Sequence, residues 1–339
     1  MSLNRRMLRT RRWRPPTAPP DRGRSAATAH LVVTRRVATG GRGPEDVAFD
    51  GDGRIRCGLA DGSVVAVDLV TGAREPLGNT GGRPLGLHPC PDGSTLICDH
   101  DRGLLRLHPE GDIEVLLDAI DGESLTFASN VVQGADGTIW FTTSTSRWDV
   151  DHHEGDFLEH SCTGRLVRYG VDGSVSVLRT DLAFGNGLVL TPDESQLLVV
   201  ETAAYRVSRH WLTGPRAGSS ETFADNLPGF PDNMSLGSDG LVWVAIAAPR
   251  NALLDRLLPL PGFLRTVVWN LPEAVRPKAA RIAWVMAFDL DGQVVHDLRL
   301  TDGGYHFITS VAEREGLLVL GSLREDDLAV ARKPDHAVG

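Results

Sequence analysis

A short turn of the Asp-Gly type recurs six times along the chain and constrains the fold more than any other feature. The turns and their close variants are Asp52-Gly53, Asp92-Gly93, Asp136-Gly137, Asp193-Glu194, Asp239-Gly240 and Glu315-Gly316. Asp-Gly between apolar runs indicates a β-hairpin, because glycine adopts a positive φ at little cost. An apolar, β-rich run follows each turn, as in Leu241-Val242-Trp243-Val244. The chain is therefore predicted to consist of six similar strand–turn–strand units.

The spacing of these units predicts a particular all-β architecture. Most of them lie about 40–50 residues apart, which is typical of β-propeller blades. Six units predict a six-bladed β-propeller. The run Ala29-His30-Leu31-Val32-Val33-Thr34 precedes the first unit. We expect this run to pair into the last blade and close the ring, because closure removes free sheet edges.

The predicted propeller spans residues 28–334 and follows a basic, Pro-rich tail, residues 1–27, that is disordered or strapped on the surface. Two units carry insertions, at about residues 145–162 and 250–281. The second insertion has leucines at helical spacing, broken by prolines, and predicts a pair of short amphipathic helices over one end of the propeller. These helices could cap a substrate mouth, decorate the side of the propeller, or contact a membrane or partner.

The charge of the chain is divided unevenly. Residues 1–24 hold eight Arg and one Asp, whereas the whole chain has a net charge of −9, so the body is acidic. An acidic body argues against nucleic-acid binding by the main domain. The tail could be a passive segment, or an arm that binds nucleic acid or a membrane surface. We expect a small-molecule substrate, and the sequence favours no particular oligomeric state.

No apolar run reaches the roughly 20 residues of a membrane span, and the tail lacks the apolar region of a secretory signal. The four cysteines form no CxxC pair. Buried thiols are the first interpretation, and a single disulfide and then a zinc site are the alternatives. We therefore expect a cytoplasmic protein.

Polar residues recur about eight positions before the turns, where the innermost strand of each unit should begin. They are Glu45, Asn130, Asn186 and Asp232. Because innermost strands line the central channel of a propeller, we expect these four side chains to converge at one end of that channel. Their carboxylate and amide oxygens suit a hard divalent cation, and Ca²⁺ is the first choice. The alternative is a purely structural role, in which the polar groups satisfy backbone atoms or channel waters.

Other chemical signatures are missing from the sequence. It contains no GxSxG elbow, no HExxH motif, no Walker loop and no GxGxxG that opens a helix. The first insertion holds His152, His153 and His160, whose spacing matches no metal signature. These histidines could lie in a solvated loop, line the substrate mouth or bind a metal.

Several motifs together resemble the strictosidine synthase-like family of six-bladed propellers, which is related to the SMP-30/gluconolactonase/diisopropylfluorophosphatase group. They are Gly43-Pro44-Glu45-Asp46-Val47-Ala48-Phe49, Thr163-Gly164-Arg165-Leu166-Val167-Arg168-Tyr169, Gly185-Asn186-Gly187-Leu188, and the run from Phe223 to Asn233. The resemblance implies that Glu45, Asn130, Asn186 and Asp232 hold calcium, as the equivalent Glu, Asn, Asn and Asp do in the metal-dependent hydrolases of the wider group. It also implies that Asp232 acts as base or nucleophile.

Two departures from the family pattern affect the expected activity. The family usually has Asn-Asp where this chain has Asn130-Val131, so an acid beside the ligand is missing. The plant Pictet–Spengler enzymes carry a catalytic Glu at the start of the sixth blade, where this chain has Thr309. That condensation is therefore not expected, although the nearby His306 could substitute.

The leading hypothesis is a Ca²⁺-dependent hydrolase of a lactone or related ester, with Asp232 as ligand and catalytic base. Substrate contacts are predicted at His153, Phe230, His306 and Thr309. One alternative is a natural-product cyclase or condensing enzyme without an essential metal. The other is a non-catalytic binding propeller with a structural metal.

Overall fold

The computed structural model describes residues 7–20, 29–271 and 280–334. Within these residues the chain forms six sheets of four or five strands, and a separate two-stranded hairpin. All the described strand pairs are antiparallel except that of Ala29–His30 with Val294–Leu300. The predicted six-bladed β-propeller is confirmed. The division into a tail and a propeller domain stays a prediction.

The ring begins with two strands that belong to the last two blades, β1 (Ala29–His30) and β2 (Val33–Ala38). Blade 1 consists of β3 (Val47–Phe49), β4 (Ile55–Gly58), β5 (Ser63–Val67) and β6 (Arg74–Asn79). Blade 2 consists of β7 (Pro84–Pro89), β8 (Thr95–Asp99), β9 (Gly103–Leu107) and β10 (Ile113–Leu117). A small hairpin of β11 (Ala119–Ile120) and β12 (Glu123–Ser124) follows it.

The remaining blades repeat this order. Blade 3 consists of β13 (Ala128–Gln133), β14 (Ile139–Thr143), β15 (Gly164–Tyr169) and β16 (Val175–Leu182). Blade 4 consists of β17 (Gly185–Leu190), β18 (Gln196–Glu201), β19 (Arg206–Trp211) and β20 (Ser220–Ala224). Blade 5 consists of β21 (Gly229–Leu236), β22 (Val242–Pro249), β23 (Ala283–Phe288) and β24 (Val294–Leu300). Blade 6 contains β25 (Ile308–Arg314), β26 (Leu317–Ser322) and β27 (Asp327–Arg332).

The ring closes through two different pairings. Strand β2 forms the outer strand of blade 6 by antiparallel pairing with β27. Strand β1 instead extends blade 5 by parallel pairing with β24. The prediction that an N-terminal strand pairs into the last blade and closes the ring is therefore confirmed. Its position was wrong by several residues, because the first part of the predicted run belongs to blade 5 and the closing strand continues to Ala38.

Apolar side chains fill the spaces between neighbouring blades. Val47 of blade 1 belongs to the same buried cluster as Val319 of blade 6, and Val200 of blade 4 to the same cluster as Trp284 of blade 5. Burying these side chains favours the folded ring by about 25 cal/mol per Å² of apolar area removed from water. The core is thus distributed around the channel, and polar residues remain at the axis.

The six turns adopt the backbone conformation that their sequences predict. The glycines of five turns have positive φ, from 77° at Gly240 and Gly316 to 87° at Gly93. In the fourth turn Glu194 takes that position with a φ of 53°. A side chain there is strained, because positive φ is unfavourable without a glycine.

Both predicted insertions form helices at the same end of the propeller. In blade 3, a 3₁₀ turn (Val150–His152) and helix α1 (Glu154–Glu159) join β14 to β15. In blade 5, α2 (Ala252–Leu257) and α3 (Gly262–Trp269) follow β22. The part of the predicted insertion at residues 272–279 lies outside the described residues. None of the described helices is long and apolar enough to cross a membrane.

The first described segment, residues 7–20, lies across these helices, and we call it the strap. The backbone amide of Arg11 donates to the carbonyl of Glu159 at 2.8 Å, and Arg265 of α3 donates to the carbonyl of Arg11 at 3.0 Å. The indole of Trp13 stacks on the ring of His160 with a centroid distance of 4.3 Å. The strap therefore joins α1 to α3.

The cysteines are unpaired thiols. Cys57, Cys90 and Cys98 are buried and Cys162 is half-buried. This agrees with the first interpretation of the cysteines rather than with a disulfide. The cytoplasmic location stays a prediction.

Candidate functional site

The first residues of the innermost strands meet around the propeller axis in two layers. Four blades each contribute two successive residues, the first lining a cavity at one end of the channel and the second lying inside the channel. The pairs are Glu45-Asp46, Ser129-Asn130, Asn186-Gly187 and Asp232-Asn233. We call the first members the upper layer and the second members the lower layer.

The upper layer contains three of the four predicted cation ligands. Glu45, Asn186 and Asp232 line the floor of the cavity together with Ser129, and all four side chains are buried. Asn186 links its neighbours: Nδ2 donates to Asp232 Oδ1 at 2.6 Å, and Oδ1 accepts from Ser129 Oγ at 3.1 Å. Oxygen donors from blades 1, 3, 4 and 5 therefore converge on one floor.

Asn130, the fourth predicted ligand, lies in the lower layer and does not line this cavity. Its Nδ2 donates to Asn233 Oδ1 at 3.2 Å and to Asp46 Oδ2 at 3.4 Å. Its Oδ1 accepts from the backbone amide of Leu188 at 3.2 Å. These bonds join Asn130 to three other blades, so its amide is used to hold the channel together. The structure does not bring it together with the other three residues.

This difference comes from one residue of register. Ser129 stands eight residues before its turn glycine, as Glu45 does before Gly53. Val131 is a buried residue of β13, paired with β14 in the sheet. Counted from the turn glycine, Ser129 rather than Asn130 is therefore the equivalent of Glu45 in blade 3. The departure from the family pattern at Val131 stays a prediction.

Three carboxyl groups lie close together at the axis, and burial raises the pKa of each. Burial raises the pKa of Asp232 to about 7, although the hydrogen bond from Asn186 opposes this shift. Burial, and then the charge of Asp232, raise the pKa of Glu45 well above its usual range. Burial raises the pKa of Asp46 to about 6. The charge of Arg83 lowers the pKa of Glu45 only in part.

The upper layer fits an oxygen-coordinated divalent cation. Glu45 Oε2 is buried and has no hydrogen-bond partner among the described residues, so one carboxylate oxygen is left for a ligand. A cation between Glu45 and Asp232 would neutralise two charges that burial disfavours. Across residues 7–20, 29–271 and 280–334, no group of three or more His, Cys, Asp or Glu side chains is arranged to hold a metal. A cation here would therefore also depend on the oxygens of Asn186 and Ser129.

The cavity above the polar floor has a volume of about 200 Å³ and mostly apolar walls. Aromatic rings form a continuous wall: Phe157 stacks on Phe230 at 5.3 Å between centroids and meets Phe184 edge-on at 4.9 Å. Helices α2 and α3 also line the cavity, with Leu254, Trp269 and neighbouring apolar residues. The insertion thus caps the mouth, the first of the three arrangements considered from the sequence.

The predicted substrate contacts divide into two pairs. His153 and Phe230 line the cavity. Thr309 does not: it is fully buried, and its hydroxyl donates to the backbone carbonyl of Glu45 at 2.6 Å. His306 does not line the cavity either, because its ring bonds to Glu325 and Arg281. The structure therefore does not place these two predicted contacts, His306 and Thr309, in the cavity.

The other two histidines of the blade 3 insertion have separate surroundings. His152 is exposed and bonds to Asp149 at 2.6 Å, whereas His160 is buried beneath Trp13. Burial lowers the pKa of His160 to about 4, so it stays neutral near pH 7. The three histidines do not form a common site.

Sequence reasoning missed several residues that the cavity uses. Ser129 could have been found by counting strictly from the turn glycine. Phe127, Phe184 and Phe157 could not, because aromatic residues beside strands are ordinary core residues in sequence. Phe127 and Phe184 have positive φ of 53° and 62°. Phe127 stands two residues before Ser129, and Phe184 stands two residues before Asn186. This common position becomes visible only when the blades are aligned with one another.

The fold and the floor define a class of protein, a six-bladed propeller with an oxygen-donor site at one end of its channel. The strictosidine synthase family matches residues 130–215, and its strictosidine synthase-like N-terminal region matches residues 27–67. Adipocyte plasma membrane-associated protein of Bos taurus is 33% identical over 308 residues, covering 83% of this chain and 74% of that protein. STRICTOSIDINE SYNTHASE-LIKE 13 of Arabidopsis thaliana is 33% identical over 296 residues, covering 77% and 73%. The chain belongs to the strictosidine synthase-like family.

Solved structures support the same fold at lower identity. A gluconolactonase from Xanthomonas campestris superimposes with a TM-score of 0.64 at 17% identity, covering 95% of this chain and 99% of that one. A calcium-binding protein, regucalcin from Agrobacterium tumefaciens, superimposes with a TM-score of 0.63 at 16% identity, covering 92% and 97%. At such identities the likeness shows a shared propeller fold alone and does not bear on activity.

Proposed function

We propose that this protein is a divalent-cation-dependent hydrolase, with Ca²⁺ as the first choice, of a lactone or ester that carries an apolar substituent. The observation that carries the proposal is the floor of the cavity. Two buried carboxyl groups from different blades, Glu45 and Asp232, lie on this floor together with the Asn186 amide, beneath an apolar chamber. The solved gluconolactonase and the calcium-binding regucalcin, which share the fold, support this choice.

Glu45, Asn186 and Asp232 would hold the cation. The hydroxyl oxygen of Ser129, from blade 3, would be a fourth ligand. The cation would supply electrostatic polarisation of the substrate carbonyl. Asn186 Nδ2 donates to Asp232 Oδ1 at 2.6 Å and so fixes the orientation of this carboxylate. The other oxygen, Oδ2, can then accept a proton from the attacking water. The aromatic wall would bind the apolar substituent and keep bulk water from the floor.

His153 is suited to contact the polar end of a substrate. Its Nδ1 lies 2.7 Å from the carbonyl of Val150, which can only accept, so Nδ1 carries the hydrogen. In the neutral ring Nε2 is then an acceptor. We infer that Nε2 accepts a hydrogen bond from substrate or water in the cavity.

The family's condensation chemistry is a weaker candidate for this chain. It would need a carboxylate at the start of blade 6, and Thr309 stands there with its hydroxyl bonded to Glu45. No charged group is therefore supplied from that blade start to the cavity. A buried floor that already holds two carboxyl groups favours hydrolysis instead.

The proposal is tested by turnover of alkyl-substituted γ- and δ-lactones and aryl esters, with Ca²⁺ or with EDTA. We expect turnover only with the cation, and a loss of kcat/KM of about a thousandfold in Asp232→Asn. The matched control is Asp52→Asn, an exposed carboxylate of the first turn, which should retain full activity.

Isothermal titration with Ca²⁺ separates the two parts of the proposal. Full activity of Asp232→Asn, or activity that survives EDTA, contradicts the hydrolase. Tight Ca²⁺ binding that Asp232→Asn abolishes, without turnover of any compound in the panel, would instead support the non-catalytic propeller with a structural cation.

A further inference from the structure

Helix α3 and the residues just before it leave an apolar stripe uncovered. Phe263 is 66% exposed, Val267 is 59% exposed and Leu260 is 40% exposed. Phe263 and Val267, four residues apart in α3, lie on one side of that helix, and Leu260 precedes the helix by two residues. On the other side Val268 and Trp269 line the cavity. We call Leu260, Phe263 and Val267 the apolar stripe.

The strap carries positive charge to the edge of this stripe. A Cβ added at Gly262 would overlap the Thr10 hydroxyl, so the strap touches the first residue of α3. Four exposed arginines lie on the strap beside Thr10, namely Arg9, Arg11, Arg12 and Arg14. The strap also exposes Met7 and has no acidic residue.

Few negative charges oppose these arginines within the helical insertion. The only acid between residues 251 and 271 is Asp255. Its carboxylate accepts from the Tyr205 hydroxyl at 2.8 Å and from Arg250 at 3.1 Å. The strap and the stripe themselves are therefore positive and apolar, on a chain whose net charge is −9, while the exposed acids Asp151 and Glu154 belong to the neighbouring blade 3 insertion.

We infer that the strap and the apolar stripe together form a peripheral docking surface for an anionic lipid membrane. Exposed aromatic and aliphatic side chains beside arginines suit the boundary between headgroups and acyl chains. Nucleic acid would use the arginines but would leave the apolar side chains in water. A membrane uses both kinds of group in one contact, and the charge complementarity selects an anionic one.

Docking in this way would place the cavity at the lipid surface, because the same helices line both. Apolar substrates dissolved in the membrane could then enter without crossing water. This consequence rests on the proposed hydrolase, whereas the docking surface does not. Membrane binding is therefore measured without substrate.

The test is sedimentation of the full chain with vesicles of phosphatidylcholine alone or with added phosphatidylserine. We expect binding to the anionic vesicles that weakens with salt, and a loss of affinity of about tenfold in Phe263→Ser with Val267→Ser. Arg12→Gln with Arg14→Gln should also weaken binding, by about tenfold, because each arginine is attracted to the anionic surface. The matched control, Val70→Ser with Val171→Ser, removes two valines that are 87% and 73% exposed in turns elsewhere and should bind as the parent does.

Three outcomes would overturn the inference. The first is failure to bind either kind of vesicle. The second is equal loss of binding in the control pair. The third is concentration-dependent self-association in sedimentation velocity that Phe263→Ser with Val267→Ser abolishes, because a second copy of the chain would then cover the stripe. None of these results depends on whether the floor of the cavity is catalytic.

Discussion

At the scale of the residue, Asn130 and Asn186 carry the same amide but meet different surroundings. The Asn186 amide faces the cavity floor and contacts Asp232 and Ser129. The Asn130 amide lies deeper and satisfies Asp46, Asn233 and a backbone amide. One amide is therefore placed to bind a ligand, and the other completes a buried network.

These surroundings predict opposite outcomes for two identical substitutions. Asn186→Ala should abolish Ca²⁺ binding, because it removes a donor from the floor and releases Asp232. Asn130→Ala should keep Ca²⁺ binding but lower the free energy of unfolding by about 2 kcal/mol, since it leaves buried partners unsatisfied. Calorimetric titration and urea unfolding measure the two quantities. Loss of Ca²⁺ binding in Asn130→Ala alone would restore the assignment made from the sequence.

At the scale of the element, the strap is the part that connects the two insertions. It bonds to α1 through Glu159, to α3 through Arg265, and to the residue after α2 through the carbonyl of Leu258. Trp13 packs between two clusters of the core and stacks on His160. Since α1 and α3 both form walls of the cavity, the strap fixes the shape of its mouth.

Trp13→Ala should therefore loosen the cap more than it disturbs the blades. We expect the amides of α3 to exchange hydrogen about tenfold faster, because the stacking contact and the apolar burial of the indole are lost. Trp211→Ala is the matched control, since Trp211 is a half-buried indole on the outer part of blade 4. Hydrogen exchange followed by mass spectrometry reads both variants. Equal exchange of α3 in the parent and in Trp13→Ala would show that the strap does not hold the cap.

At the scale of the whole molecule, the repeat of turns determined most of what sequence could predict. The blade count followed from Asp-Gly turns, because they reflect local backbone chemistry. Glu45, Asn186 and Asp232 followed from equivalent positions in equivalent blades. The closing strand did not, since which run pairs with β27 depends on contacts between residues nearly 300 positions apart.

The cavity walls were equally hidden, for a related reason. Phe157 reaches Phe230 and Phe184 only because an insertion from one blade folds over two others. The side-chain directions of His306 and Thr309 depend on hydrogen bonds to Glu325 and Glu45. Both partners are distant in sequence, so no local sequence pattern predicts these bonds. Ser129 was within reach, because the count from Gly137 identifies it.

The three axial carboxyl groups make the stability of the whole ring depend on pH and on cations. Burial raises the pKa of Asp232 from 3.8 to about 7, so the folded state binds this proton more tightly than the unfolded chain does. The stability that this proton contributes is complete below about pH 4 and is lost as the pH rises through about 7. Buried histidines such as His160, whose pKa is lowered to about 4, contribute with the opposite sign in an overlapping range.

The contribution of Asp232 is therefore read as a difference between two proteins. In EDTA, Asp232→Asn should gain stability relative to the parent by about 1.4 kcal/mol per pH unit between about pH 4 and about pH 7, because the histidine terms cancel. At about pH 8, adding Ca²⁺ at a hundred times its Kd should stabilise the parent by about 2.7 kcal/mol and leave Asp232→Asn unchanged. Urea unfolding at each pH measures both effects. A parent and a variant whose stabilities run parallel across that range, with no response to Ca²⁺, would show that the axial carboxyl groups neither strain the ring nor bind a cation that pins its blades together.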